Sequence, residues 1–365
     1  MHGTNLLSFV AEPHPAPMDP AERAALLRDP GFGRAFTDHM VSIRFEQGRG
    51  WHDARVGPRR PLEMDPASAV FHYAQEIFEG LKAYKLADGG AALFRADANA
   101  ARFRASAERM AMPVLPDALF LQAVRELVAA DRAWFPDIPG GSLYLRPFMI
   151  ADEAFLGVRP ASRYLFLVIA TAAGAYFRGG APAVTLWTSE DYTRAAPGGT
   201  GAAKCGGNYA GSLAAQAEAI RHGCDQVVFL DAAERRWVEE LGGMNLFFAF
   251  ADGSLRTPPL SGTILPGITR DSLLAIARDA GVRVEEERYA LADWRADAES
   301  GRLTEAFACG TAAVVTPIGR VRGRGFDFAV GGGAGGPVAA ELKAALTGIQ
   351  LGERPDPHGW VERLF

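Results

Sequence analysis

The residues best suited to chemistry lie between Ala195 and Ser212, Ala-Ala-Pro-Gly-Gly-Thr-Gly-Ala-Ala-Lys204-Cys-Gly-Gly-Asn-Tyr209-Ala-Gly-Ser. A single lysine stands in a run of glycines and alanines, with no carboxylate near it in sequence. Side chains this small cannot cover a lysine, and glycine lets backbone bend closely round a ligand. Such surroundings suit an amine that loses its proton and attacks a carbonyl, because desolvation lowers a lysine pKa. An ordinary lysine on a glycine-rich surface loop has the same local sequence, and the loop alone favours neither reading. A P-loop is excluded, because that motif needs Gly before its lysine and Ser or Thr after it. Here those places hold Ala203 and Cys205.

Other segments bear on the same chemistry. Arg194 precedes the glycine run, and Tyr209 follows the lysine by five residues. Trp237-Val-Glu-Glu240-Leu-Gly-Gly-Met-Asn245 sets two acids in an otherwise apolar strand pair around Gly242-Gly243. Alternation sends Glu239 and Glu240 to opposite faces, so one is expected to face inward, where a carboxylate needs a partner. Leu260 to Arg270 leads into a helix whose first amides can hold an anion, although its local features favour a plain turn capped by Thr269. Phe71 to Gly80 and Ser142 to Pro147 are aromatic-rich, and Arg146 shares a strand face with Tyr144. An arginine there requires a partner if buried.

These residues need a scaffold, and 365 residues suit two domains, each with its own core. The 48% hydrophobic and 22% charged fractions are those of an ordinary globular protein. Net charge is −5 with acids and bases interspersed. No basic block points to nucleic acid, and no run approaches the roughly 20 apolar residues of a membrane span. Three cysteines, Cys205, Cys224 and Cys309, lack CxxC or metal-like spacing, which points to a reducing, cytoplasmic setting with no metal. The N-terminal residues lack the pattern of a secretory signal.

The expected elements alternate. A short helix at 20–27 and strands at 37–45, 81–85 and 91–94 come first. Helices follow at 97–109, with Asp97 as N-cap, and at 116–134, then strands at 142–150 and 164–173. Gly174 to Pro182 is the best boundary, punctuated by Gly and Pro yet carrying Tyr176 and Phe177. Beyond it come a strand at 184–188, a helix at 209–221, strands at 226–230, 237–240 and 245–250, a helix at 269–279 and a strand at 282–287. Residues 311–315 read as extended or helical. Gly331 to Gly336 matches GxGxxG between a strand and a helix, but no second strand with a terminal acid follows, so it reads as a hairpin tip.

In order along nearly the whole chain, Phe78-Glu-Gly80-Leu-Lys-Ala-Tyr84, Gly206-Gly-Asn-Tyr209, Glu240-Leu-Gly-Gly-Met-Asn245 and Leu265-Pro-Gly-Ile-Thr-Arg270 resemble the branched-chain amino-acid aminotransferases. These are fold-type IV (class IV) enzymes that use pyridoxal 5'-phosphate (PLP). The resemblance implies an α/β (α+β) fold of two mixed α/β domains with the cofactor site at their interface. The boundaries read as 1–174 for a smaller N-terminal domain with its arm, 175–182 for an interdomain loop and 183–365 for a larger PLP-binding domain.

By the same resemblance, Lys204 forms the Schiff base and moves the proton, Glu240 pairs with the pyridine nitrogen, Tyr209 meets the ring hydroxyl and Leu265 packs on the ring. Arg102, the amides of Ile268 and Thr269, and Thr311 hold the phosphate, with Arg194 close by. Phe32, Tyr73, Phe78, Tyr144, Arg146, Tyr176, Gly243, Ala312 and Ala313 line the substrate pocket. Its apolar wall suits leucine, isoleucine and valine, and Arg146 answers the side-chain carboxylate of glutamate or 2-oxoglutarate. Some family members carry a CxxC near the Gly-Thr turn, where this chain has Ala313-Val-Val-Thr316. The implied partners are amino acids, 2-oxo acids and a second copy of the chain, with neither nucleic acid nor membrane. D-amino-acid aminotransferase and aminodeoxychorismate lyase share the lysine and glutamate, and a non-catalytic PLP-binding protein would retain both. The larger chain and the Arg146–Tyr144 pair argue against the two enzymes, and a complete substrate pocket against the third.

Overall fold

The computed structural model describes residues 7–174 and 183–365. The expected interdomain loop 175–182 and its Tyr176 lie outside the described residues. The contacts divide the chain into two units. The first takes the described residues through 174, then Ala203–Gly206 and Gln350–Phe365. The second takes 183–202 and Gly207–Ile349. Both Lys204 and the C-terminal segment, which sequence order leaves in the second domain, therefore belong to the first unit.

The first unit carries strands β1 (Val10–Ala11), β2 (Ala35–Phe36), β3 (His39–Glu46), β4 (Gly50–Pro58), β5 (Glu76–Phe78), β6 (Leu81–Lys85), β7 (Ala91–Phe94), β8 (Ser142–Ala151) and β9 (Arg163–Ala173). Its helices are α1 (Pro20–Leu26), α2 (Ala69–Tyr73), α3 (Ala96–Arg109) and α4 (Asp117–Ala130). The sheet runs β1-β4-β3-β9-β8-β6-β7 and closes with the C-terminal strand Val361–Arg363, while β5 pairs with β8. Its pairings are antiparallel except β1 with β4. Helix α4 buries Leu119, Phe120, Val124, Leu127 and Val128, an apolar stripe at helical spacing. Phe120 meets Phe103 of α3 and Phe166 of β9 in one aromatic cluster. The N-cap of α3 is Arg95, in the left-handed region at φ 51°, rather than Asp97, which sits in the first turn.

The second unit carries β10 (Val184–Ser189), β11 (Gln226–Leu230), β12 (Val238–Leu241), β13 (Asn245–Phe250), β14 (Leu255–Thr257), β15 (Val284–Glu286), β16 (Leu303–Gly310), β17 (Val314–Gly323) and β18 (Phe326–Ala329). Its helices are α5 (Gly206–Ala210), α6 (Leu213–Arg221), α7 (Ile268–Asp279), α8 (Leu291–Ser300) and α9 (Pro337–Gln350), α5 starting and α9 ending on a residue of the first unit. The sheet order is β12-β11-β10-β17-β16-β13-β14-β15, with β18 on β17. The expected pair across Gly242-Gly243 is not a ladder. Strand β12 pairs instead with the preceding strand β11, and β13 with the following strand β14 and with the distant β16. The expected 209–221 helix breaks at Gly211-Ser212 into α5 and α6, and 311–313 form the turn of the β16–β17 hairpin.

Candidate active site

Lys204 owes its position to its neighbours. Ala203 and Cys205 are both 2% exposed and plug into the hydrophobic core of the first unit. The Lys204 N–H donates to Ser106 Oγ of α3 at 2.9 Å. Its carbonyl accepts the Phe78 N–H of β5 at 2.9 Å. The ammonium nitrogen stands 4.8 Å from the Phe78 ring centroid. Burial above all, with Arg102 adding to it and Glu79 opposing, brings this lysine down to about 8.

The charge beneath it is a closed cluster. Glu79 is fully buried and accepts from Arg102 Nε at 2.7 Å, Arg102 Nη2 at 2.8 Å, Asn99 Nδ2 at 2.7 Å and the Gly80 N–H at 3.1 Å. Burial opposes its ionisation, but Arg102, Lys204 and Asn99 outweigh that and hold the carboxyl below its ordinary range. The resemblance set Arg102 on a phosphate; in the structure its fork is bidentate on Glu79.

The first unit also holds several of the expected pocket residues. The Arg146 guanidinium sits 4.8 Å from the Phe78 ring centroid and 5.5 Å from that of Tyr144. Its Nη2 donates to the Tyr144 hydroxyl at 3.3 Å, and its buried Nε has no partner among the described residues. Phe32 meets Tyr144 edge-on at 5.0 Å. Tyr73 turns its hydroxyl to the Leu156 carbonyl and its ring to Phe155.

In the second unit Glu240 is 1% exposed. It accepts from Arg194 Nη1 at 2.8 Å and from the Leu265 N–H at 2.9 Å. Arg194 also donates to the Thr263 carbonyl at 2.7 Å, so it ties the acid to the loop before α7 instead of standing alone as an anion ligand. Glu239 is buried too, contrary to the expectation of one inward acid. Thr263 donates to it, and burial raises its pKa. Asn245 Nδ2 holds the Leu265 carbonyl at 3.0 Å, and a Cβ at Gly267 would overlap Asn245 Oδ1 and force that amide to move. The Tyr209 ring lies beside Gly243.

The two helix starts singled out in the sequence differ. At α7, Gly267 is the N-cap and no side chain caps the helix that begins Ile268-Thr269. At α9, the Glu305 carboxylate of β16 accepts the N–H groups of Val338 and Ala339 at 2.9 Å each. The helix after the GxGxxG stretch is thus already satisfied by the chain's own carboxylate, which removes a nucleotide site there. Thr311, Ala312 and Ala313 form the half-buried hairpin turn, followed by Val314 at φ 62°. A β-branched residue in the left-handed region is an outlier of the kind that gathers at functional sites.

Sequence reasoning did not single out Glu76, Asn99 or Ser106, and it treated Glu79 only as part of a motif. A signal was present, since Asn99, Arg102 and Ser106 fall at i, i+3 and i+7 of one helix, a polar stripe on a buried face.

The family model for amino-transferase class IV matches residues 76–321, which include Glu76, Glu79, Arg102, Lys204, Glu240 and Thr311. The chain belongs to the class IV aminotransferases. Among its relatives, this class IV aminotransferase is 58% identical to the branched-chain-amino-acid aminotransferase of Mycobacterium tuberculosis (strain CDC 1551 / Oshkosh), over 95% of this chain and 96% of that one. Its fold is similar to the Escherichia coli branched-chain amino acid aminotransferase, with TM-score 0.73 and 30% identity over 89% of this chain and all of that one. It is similar also to the T.th. branched-chain amino acid aminotransferase complexed with N-(5'-phosphopyridoxyl)-L-glutamate, with TM-score 0.72, 31% identity and coverage of 89% and 99%. In this aminotransferase the mixed α/β units are those that fold-type IV implies.

Proposed function

We propose that this aminotransferase uses pyridoxal 5'-phosphate to move the amino group of leucine, isoleucine or valine to 2-oxoglutarate, giving branched-chain 2-oxo acids and glutamate. The observation that carries the reading is Lys204, whose amine is brought down to about 8 and held over Phe78. The relatives named branched-chain-amino-acid aminotransferase support the substrate class. The N-(5'-phosphopyridoxyl)-L-glutamate held by the T.th. enzyme supports the cofactor and the second substrate.

The donor set fits the cofactor in three respects. Lys204 offers a readily deprotonated amine, Glu240 a buried carboxylate fixed by Arg194 and Leu265, and α7 a helix start without a capping side chain. When bound, the cofactor supplies an aldehyde for the amine and a ring that accepts electrons from the substrate carbon. Lys204 would hold it through its amine and would move the proton at the substrate Cα. Glu240 would pair with the pyridine nitrogen and keep it protonated, and Arg194 fixes that acid in place. Tyr209 would donate to the ring hydroxyl, and Leu265 would cover the ring. The amides of Ile268 and Thr269 and the Thr311 hydroxyl would hold the phosphate. Arg102, committed to Glu79, contributes positive charge near the amine rather than the main phosphate contact.

For the branched side chain the resemblance assigns Phe32, Tyr73, Phe78 and Tyr144 of the first unit and Gly243, Ala312 and Ala313 of the second, and for a side-chain carboxylate Arg146. The unpartnered Arg146 Nε and the Tyr144 hydroxyl beside it suit that task. We further propose a cytoplasmic homodimer. Three free, buried cysteines suit a reducing compartment, and the exposed Phe71, Leu156 and Val158 suit cover by a second copy.

The test is the visible absorption of protein reconstituted with the cofactor, before and after isoleucine. Isoleucine should shift the band and D-alanine should not. Lys204→Ala should abolish turnover while the protein still folds. A soluble variant retaining a few per cent of wild-type turnover would remove Lys204 from its role.

A further inference from the structure

Lys204 is tied to the first unit through its backbone, although the residues before 203 and after 206 belong to the second. Three N–H···O bonds make the tie. Lys204 N–H donates to Ser106 Oγ, Phe78 N–H donates to the Lys204 carbonyl, and Gly206 N–H donates to the Glu76 carboxylate. A Cβ at residue 206 would meet Glu76 Oε1, so a larger residue there would have to displace that carboxylate. Between these bonds, Ala203 and Cys205 fill core positions. Ser106 is 1% exposed and lies on the same stripe of α3 as Asn99 and Arg102, which grip Glu79. One helix face thus fixes both the lysine backbone and the nearest carboxylate.

We propose that Ser106 and Glu76 are positioning residues that hold the Lys204 peptide at a fixed point, so that the lysine side chain alone moves during the reaction. The inference rests on the reading of Lys204 as the reactive amine. An amine that is displaced and must return to one carbon needs a fixed base. Misplacement by about 1 Å can cost on the order of a hundredfold in rate. The side chain's own torsions are enough to carry the amine away and back if the backbone stays still. Glu76 also lies on β5 two residues from Phe78, hence on the same strand face as the ring beneath the amine. Burial raises its pKa, opposed by the Gly206 N–H and Arg146. For its task it needs only an acceptor oxygen, which a neutral side chain can also provide.

The experiment compares Ser106→Ala, Glu76→Ala and Glu76→Gln in the reconstituted enzyme, by steady-state kinetics and by amide hydrogen exchange. In both alanine variants kcat should fall about tenfold to a hundredfold, with KM for isoleucine within about twofold. Exchange at the Lys204 amide should quicken in Ser106→Ala, and at the Gly206 amide in Glu76→Ala, while the α4 amides keep their protection. Glu76→Gln should restore most of the turnover, because it retains an acceptor. A purely structural role would instead loosen α4 along with the lysine peptide. If Ser106→Ala does not fold, Ser106→Cys, with similar volume and a poor acceptor, should show the same kinetic split. Ser106→Ala with wild-type kcat and unchanged exchange overturns the proposal, and so does Glu76→Gln as impaired as Glu76→Ala. Lys204→Ala separates this from the reading beneath it. Turnover surviving in that variant sinks the role of Lys204, whereas the amides at 204 and 206 still report whether the clamp exists.

Discussion

Replacing Glu79 with Gln keeps the side chain's shape and removes one buried negative charge. The carboxylate accepts four hydrogens, two from Arg102, one from Asn99 and one from the Gly80 amide. A glutamine has one oxygen and one NH2 group, so at least one of these donors must face another donor. Arg102, 9% exposed, would be left as a buried cation without its carboxylate. Breaking such a pair costs about 3–5 kcal/mol, a large share of the ~5–15 kcal/mol that holds a domain folded.

The same change reaches Lys204. Glu79 is the carboxylate that raises the lysine's pKa against burial and Arg102, so without it the amine should titrate below its present value of about 8. Because the folded-state value lies below the ordinary 10.5, the unfolded chain binds the extra proton between the two. Stability therefore rises with pH from about 8 to 10.5 in the native sequence, and the variant widens that window downward. Urea unfolding of the cofactor-free protein at pH 7 measures the first effect. Pulsed acetylation of Lys204, followed by mass spectrometry from pH 6 to 10, measures the second. A loss under about 1 kcal/mol, together with a titration still near 8, would refute the account of the Glu79–Arg102 pair.

Glu240→Gln should retain cofactor yet lose most turnover. It should also lower Tm, because Arg194 would be stranded beside a neutral amide; near-normal turnover would give the pyridine role to another group. Arg146→Met should weaken glutamate and 2-oxoglutarate about tenfold to a hundredfold, from roughly 1.5–3 kcal/mol for a charge-assisted hydrogen bond, and spare isoleucine. Half-reactions with each amino acid alone measure this, and equal losses for isoleucine and glutamate would mean that Arg146 does not read the side-chain carboxylate.

Much of the local structure was legible in the sequence, because it depends on local pattern. Strands at Ala91–Phe94, Gln226–Leu230 and Asn245–Phe250 fall where their apolar runs and flanking turn residues put them. The glycine-bounded lysine and the acid pair were visible as residues out of keeping with their neighbours. What failed locally did so for physical reasons. Asp97 is a good cap by type, yet Arg95 takes the left-handed cap position, its N–H donating to the Trp360 carbonyl. The segments flanking Gly242-Gly243 look like a hairpin, but each finds a better ladder elsewhere in the sheet.

The partnerships that give the site its chemistry span long separations, and no window of sequence contains them. Glu79 meets Arg102 across 23 positions and Lys204 meets Ser106 across 98. Leu265 meets Glu240 across 25. The sequence by itself determined which side chains are able to act and the family they belong to. Only the tertiary structure decided which acid answers which base and that Lys204 is held by the first unit. Hydrogen-bond and ion-pair energies depend on distances of a few ångströms, and those exist only once the core has closed around Ala203 and Cys205.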